Sequence, residues 1–155
     1  MIKIRNKIKN NAGIALLMAI FISSAASLLG LGVFMLLYGQ LGIAGSAKGS
    51  VVAFYAADSG LECALYGDLV SKTFSTSSPP ATINCTGSNS NVTFQPSGMS
   101  GTFKFNYQVS SDACVSVTVQ KLSSGQTIIS SFGENISDCS ISSVRTVQRG
   151  LEVTY

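Results

Sequence analysis

Residues 14–38 read IALLMAIFISSAASLLGLGVFMLLY, and this stretch decides the architecture of the chain. It contains no charged side chain, and the uncharged run extends over residues 10–47, 38 positions bounded by Lys9 and Lys48. An α-helix rises ~1.5 Å per residue, so ~20 apolar residues cross a bilayer. Ile14–Tyr38 exceeds that length. A helix lying on a soluble domain would carry a polar face, and this one has none. The stretch is therefore predicted to span a membrane. A cleaved secretory signal has an apolar core of only ~7–15 residues before its small-residue cleavage site. Ala44, Gly45, Ser46 and Ala47 have that small-residue composition, but the apolar core before them, Ile14 to about Ile43, is too long.

The charges around this helix set its direction. The chain has 155 residues, room for one ordinary domain, with 46% hydrophobic and only 11% charged residues. Four of its ten basic residues, Lys3, Arg5, Lys7 and Lys9, precede the apolar run. Basic flanks stay in the cytoplasm, so the N-terminus is expected inside and the rest outside. The remaining six basic residues face seven acidic ones, a net charge of −1. Nucleic-acid binding leaves a basic stripe; the outer part has no basic excess, and no strong nucleic-acid binding is expected.

Two features flank the apolar run. At its start, Asn10, Asn11, Ala12 and Gly13 lead into Ile14, placing a glycine where the basic leader meets the helix. Glycine weakens a helix and lets the chain extend, as a protease at the membrane face requires. Beyond the run, residues 51–66 read VVAFYAADSGLECALY. Phe54, Ala57, Leu61, Ala64 or Leu65, and Leu69 recur at three- and four-residue steps, with Asp58 and Glu62 on the opposite side. One helix is thus expected to run from Ile14 to about Leu69, ~84 Å. Gly30, Gly32, Gly39, Gly42 and Gly45 interrupt it, which in a packed bundle permits close helix contact and local unwinding.

The leader, the glycine, the IALLMAI start and the FYAADSGLECA helix together resemble the type IV pilin and pseudopilin superfamily, with the PilX-type minor pilins nearest in flavour. The resemblance covers roughly residues 5 to 70. It implies a leader 1–13, a transmembrane and filament-core helix 14–47, and an extracytoplasmic head 48–155 (helix 48–70 plus β-sheet about 91–155). It implies cleavage by a membrane prepilin peptidase between Gly13 and Ile14, and N-methylation of Ile14. The implied partners are other pilin subunits, the pilus assembly machinery and the lipid bilayer. The implied location is the inner membrane, single-pass, and then a filament on the cell surface. One position departs from the pattern. Major pilins usually carry glutamate five residues into the mature chain, where it pairs with a neighbour's amine in an apolar setting. Here that position is Met18, a departure that favours a minor or tip subunit.

The head reads as strands. Residues 71–78 are rich in serine and threonine and, with Pro79 and Pro80, end the helix. Phe103, Phe105, Tyr107 and Val109 alternate with polar residues, as do Val115, Val117 and Val119. Gly125 marks a turn before a strand at Thr127 to Phe132. A last strand is expected from about Val144 to Tyr155, with Gly150 as a bulge. The fold class is thus expected to be α+β: a long N-terminal membrane-spanning helix whose C-terminal half packs on a small antiparallel sheet.

Four cysteines, Cys63, Cys85, Cys114 and Cys139, all fall in the outer part, where disulfides persist. None has metal-ligand spacing, and the chain has no histidine. Of three possible connectivities, proximity favours Cys63–Cys85 and Cys114–Cys139. Each closes a loop of 22 to 25 positions, worth roughly 3–3.5 kcal/mol by chain entropy. Free buried thiols are the alternative. Three glycosylation-like triplets start at Asn84, Asn91 and Asn135, as chance provides in a head this rich in asparagine, serine and threonine. Arg145 and Arg149 would share a side if they lay on one strand. Asp112, Glu134 and Asp138 are scattered in loop-like contexts. With no histidine and no phosphate-binding glycine loop, no catalytic, cofactor or metal site is expected. Two functions remain: a filament subunit, or a permanently anchored extracytoplasmic binding module.

Overall fold

The computed structural model describes residues 12–98, 100–141 and 143–155. The fold class is α+β: one long N-terminal apolar helix and a small antiparallel sheet. Helix α1 is Ala12–Leu65, 54 residues, and it continues as a π-helical turn, Tyr66–Val70. Seven strands follow: β1 Thr82–Cys85, β2 Ser88–Asn91, β3 Thr93–Ser97, β4 Ser100–Ser110, β5 Ala113–Lys121, β6 Thr127–Glu134 and β7 Gln148–Thr154. The chain divides into two units, one ending at Ala44 and one spanning Gly45–Tyr155.

Helix α1 runs unbroken through Gly30, Gly32, Gly39, Gly42 and Gly45. Each glycine costs a helix about 1 kcal/mol against alanine. The surrounding leucine, alanine and methionine are strong helix formers, and no proline adds to the cost. Ser23, Ser24 and Ser27 turn their hydroxyls back onto the carbonyls of Ile20, Phe21 and Ser23 at 2.9–3.0 Å. The polar atoms of this stretch are thereby satisfied within the helix, as an apolar surrounding requires.

In the second unit a five-stranded antiparallel sheet has the order β3-β4-β5-β6-β7, and β1 and β2 form a separate hairpin. That hairpin is not in the sequence reading, which begins the sheet at about 91. Its turn rests on Thr86 and Gly87, both at positive φ, where glycine is at ease. The expected last strand is shorter than read: it starts at Gln148, because residues 138–141 and 143–146 form turns closed by Ile141 N–Asp138 O and Thr146 N–Ser143 O bonds. The bulge expected at Gly150 is absent, since β6 and β7 pair in unbroken register with Phe132 opposite Gly150. Gly150 instead leaves room for the Phe132 ring, which a Cβ would meet at 2.8 Å. The register shift lies elsewhere, between Gln108 and Ser110 of β4.

Register explains the two faces of the sheet. Phe103 pairs with Val119, Phe105 with Val117 and Tyr107 with Val115, so these six side chains lie on one face. All are buried, with Ile129, Phe74, Ile83 and Ala64, in one core. Lys104, Thr118 and Ser130 occupy the opposite, solvent-facing side.

The helix that covers this core does so with small residues, a correction to the face expected from the sequence. Gly49, Ala53, Ala56, Ala57, Gly60, Ala64 and Gly67 are buried, whereas the expected core residues Phe54 and Leu69 are exposed. Only Leu61 and Leu65 add larger side chains at the core's edge. The reason is close approach. A Cβ on Gly60 would meet Ser131 Oγ and Val115 Cγ2, both at 2.5 Å, and Ser131 Oγ donates to the Ala57 carbonyl at 2.7 Å. Large side chains at these positions would push the helix off the sheet.

The end of the helix is fixed by a charge cluster. Asp68 in the π-helical turn accepts hydrogen bonds from Lys121 Nζ at 2.5 Å and Tyr155 Oη at 2.6 Å. Lys121 also donates to Thr127 Oγ1 at 2.9 Å. Asp68 is nearly buried, so its charge needs these partners. Burial, then the bond to Asp68 and its charge, push the Tyr155 phenol above its ordinary value. Burial also raises Tyr107, and the Glu62 charge adds to the rise, while its bond to Ser59 at 3.1 Å opposes it. Both phenols hold their protons more tightly when folded. Their contribution is complete below about pH 10, the unfolded value, and is lost as pH rises through the raised folded values. Melting of the full chain in detergent is expected to hold its midpoint up to about pH 10 and to shift downward above it. Tyr155→Phe is expected to shrink that shift, and a wild-type curve that stays flat would contradict the argument.

Candidate functional site

Gly13, Ile14 and Met18 all lie in the first turns of α1 and are exposed. The basic leader expected before them, with Lys3, Arg5, Lys7 and Lys9, lies outside the described residues. The glycine junction is helical rather than extended. Extension there costs little, because the first four N–H groups of any helix lack intrahelical partners. No atom stands within 4 Å of a Cβ built on Gly13, so a protease meets no obstacle from the described residues. Met18 is 60% exposed and presents its thioether outward from the helix.

The surface that follows is apolar throughout. Every residue in 13–48 is exposed, including Leu16, Phe21, Leu29, Phe34, Leu36 and Leu41. Exposed apolar area on this scale is uncommon in water and marks a membrane or protein-contact surface. The span Gly13–Val70 is one helix long and apolar enough to cross a membrane, with no part of its most apolar window buried.

Both disulfides fasten the head. Cys63 of α1 is bonded to Cys85 of β1, and Cys114 of β5 to Cys139, with Cα separations of 5.9 and 5.7 Å. These are the pairings that proximity favours. Asn84 and Asn135 both make hydrogen bonds within the head. Asn84 Nδ2 donates to Asn89 Oδ1 at 2.9 Å within the β1–β2 hairpin. Asn135 Oδ1 accepts from Val147 N at 2.6 Å, closing the long loop before β7. Asn91 is exposed at the end of β2. Arg145 and Arg149 do not share a strand: Arg145 is in the loop, and Arg149 Nε donates to Ser50 Oγ of α1 at 2.8 Å.

No family model, characterised protein or solved structure matches the chain.

The head itself offers open grooves. One of about 370 Å³ is lined by Asn106, Gln108, Asp138 and the Cys114–Cys139 bridge. The bonds from Ser140 Oγ and N hold the Asp138 carboxyl below its ordinary value, so this exposed group stays charged. Among the described residues no cluster of histidine, cysteine, aspartate and glutamate could hold a metal ion. A feature missed in the sequence is the outward face of α1 beyond Lys48, where Val51, Tyr55, Tyr66 and Leu69 are exposed. The signal for it is the run of small residues at helical spacing: when glycine and alanine take the inner face, the large side chains are left outside.

Proposed function

We propose that the chain is a structural subunit, minor or tip, of a type IV pilus or related pseudopilus filament. One observation carries the reading: a single unbroken helix bears a wholly exposed apolar segment and, beyond it, the close-packed face that holds a disulfide-bonded head. A membrane anchor needs ~20 residues. A helix of this length and surface has more apolar area than one crossing consumes, and suits a subunit that exchanges lipid contacts for helix contacts. That exchange is between surfaces of similar polarity, so subunits can leave the bilayer for a filament core. In this account the leader is removed at Gly13, Ile14 becomes the methylated N-terminus, and the head faces outward. Met18 favours a subunit placed first or used sparingly, because it cannot match a neighbour's amine, and an unmatched charge is costly in an apolar setting.

The test is to shear filaments from cells carrying the full chain and count subunits by quantitative mass spectrometry. The chain is expected in the filament fraction as a small share of its mass. Forming most of the mass would contradict the minor or tip assignment. Absence from filaments, with the protein retained in membranes, would favour the anchored binding module instead. The full chain is also expected to bind DNA no more tightly than micromolar at physiological salt, since the residues beyond Lys9 carry six basic against seven acidic side chains. Salt-sensitive submicromolar binding that survives alanine substitution of Lys3, Arg5, Lys7 and Lys9 would contradict this.

A further inference from the structure

On the solvent-facing side of the sheet, strand register lines polar side chains up in rows. One row is Thr93, Lys104, Thr118 and Ser130, across β3 to β6. The next is Asn106, Ser116 and Phe132, with Gly150 beyond it on β7. The missing side chain at Gly150 gives the Phe132 ring its place on this side, where Phe132 stays 43% exposed. An open groove of about 290 Å³ lies over the two rows, lined by Thr93, Lys104, Asn106, Ser116 and Thr118. It meets the groove beside the Cys114–Cys139 bridge at Asn106, which lines both. Among the described residues Lys104 makes no ion pair, and the side chains of Thr93, Asn106, Ser116 and Thr118 find no hydrogen-bonding partner.

Each part of this surface answers one part of a sugar. Hydroxyls and carboxamides both donate and accept, as the hydroxyls of a saccharide do. The Phe132 ring offers its negative face to the C–H side of a pyranose. The unpaired Lys104 ammonium selects an anion. We infer that the solvent-facing side of the sheet binds a short oligosaccharide ending in an acidic sugar, its carboxylate on Lys104 and a neutral sugar stacked on Phe132. Lys104 and Phe132 stand two strands and two residues apart, about 12 Å, a distance that a short oligosaccharide covers. Nearby acids fix its direction and its charge. Glu134 is engaged by Gln148 at 2.7 Å and Glu152 by Ser130 at 2.8 Å. Asp138 lines the adjoining groove, with Ser140 bonded to Oδ1. A chain acidic along its whole length would be repelled there, so the carboxylate belongs at the Lys104 end. Helix α1 packs on the other side of the sheet, so the inference holds for a filament subunit and for an anchored module alike.

The test titrates the full chain in detergent with sialyllactose, lactose, tetragalacturonate and inorganic phosphate, following binding by saturation-transfer NMR. Sialyllactose is expected to saturate at roughly millimolar concentration. It is expected to bind about fivefold more tightly than lactose, the neutral part of the same molecule. Lys104→Gln is expected to remove that advantage and leave lactose binding unchanged. Phe132→Leu is expected to weaken both sugars. Asn106→Ala, at an exposed position, is expected to do the same without touching the Phe132–Gly150 packing. Intact disulfides and an unchanged melting midpoint confirm a folded head in each variant. Tetragalacturonate is expected to bind more weakly than sialyllactose and to gain on Asp138→Asn. No saturable binding of sialyllactose, or binding indifferent to Lys104→Gln and Asn106→Ala, would overturn the inference. Phosphate binding as tight as sialyllactose, and equally dependent on Lys104, would also overturn it, by reducing the site to a bare anion contact.

Discussion

Gly133→Ala is expected to destabilise the head by about 3 kcal/mol or more, the upper range for forcing an atom into a packed core. A Cβ at this position would strike the carbonyl oxygen of Ala53 and the amide nitrogen of Ala57, with Ala56 Cβ at 2.9 Å. Two of these are helix backbone, which cannot rotate away, so the helix must lift from β6. Gly60 gives the contrast. Its Cβ would meet only side chains, Ser131 Oγ, Val115 Cγ2 and Val117 Cγ2 at 2.5–2.9 Å. Those can shift, so Gly60→Ala is expected to cost less. Unfolding of the full chain in detergent, followed by tyrosine circular dichroism, is expected to place the Gly133→Ala midpoint more than about 10 °C below wild type. An unchanged midpoint would mean the helix does not sit this close to the sheet.

Removing the Cys63–Cys85 bridge by Cys→Ala at both positions is expected to cost about 3 kcal/mol, from the lost loop-closure constraint over a separation of 22 residues. The effect is large because the head is small and its helix contributes mainly alanine and glycine to the core. Cys85 is buried against that core, so alanine also leaves a small void there. Loss of the bridge frees the segment that carries the β1–β2 hairpin, and protease cleavage between residues 71 and 91 is expected to rise sharply. Equal protease resistance in the variant and the parent would show that the bridge only decorates a segment already held by packing.

Much of the fold is legible because its signals are periodic. An uncharged run of 38 residues has few alternatives to a membrane helix. The alternation around Phe103–Val109 and Val115–Val119 sets both the strands and their inward face. The face of the helix is less legible. Apolar periodicity weights large side chains, so Phe54 and Leu69 look like core, but a helix pressed onto β5 and β6 selects for absence of side chain. The β1–β2 hairpin escapes because Thr82–Cys85 and Ser88–Asn91 are polar and short, and its turn uses Thr86 at positive φ, which no propensity anticipates. Gly150 reads as a bulge from the sequence, although what it accommodates is the Phe132 ring. At the junction, the residue types of Gly13, Ile14 and Met18 are plain.

If this helix is processed for assembly, the N-terminal sequence and mass of the chain isolated from its own membranes reveal it. The mature chain is expected to begin at Ile14 with a methylated amine, and a Gly13→Leu variant is expected to keep its leader. An intact Met1 on the wild-type chain, in cells with a working assembly system, would contradict it.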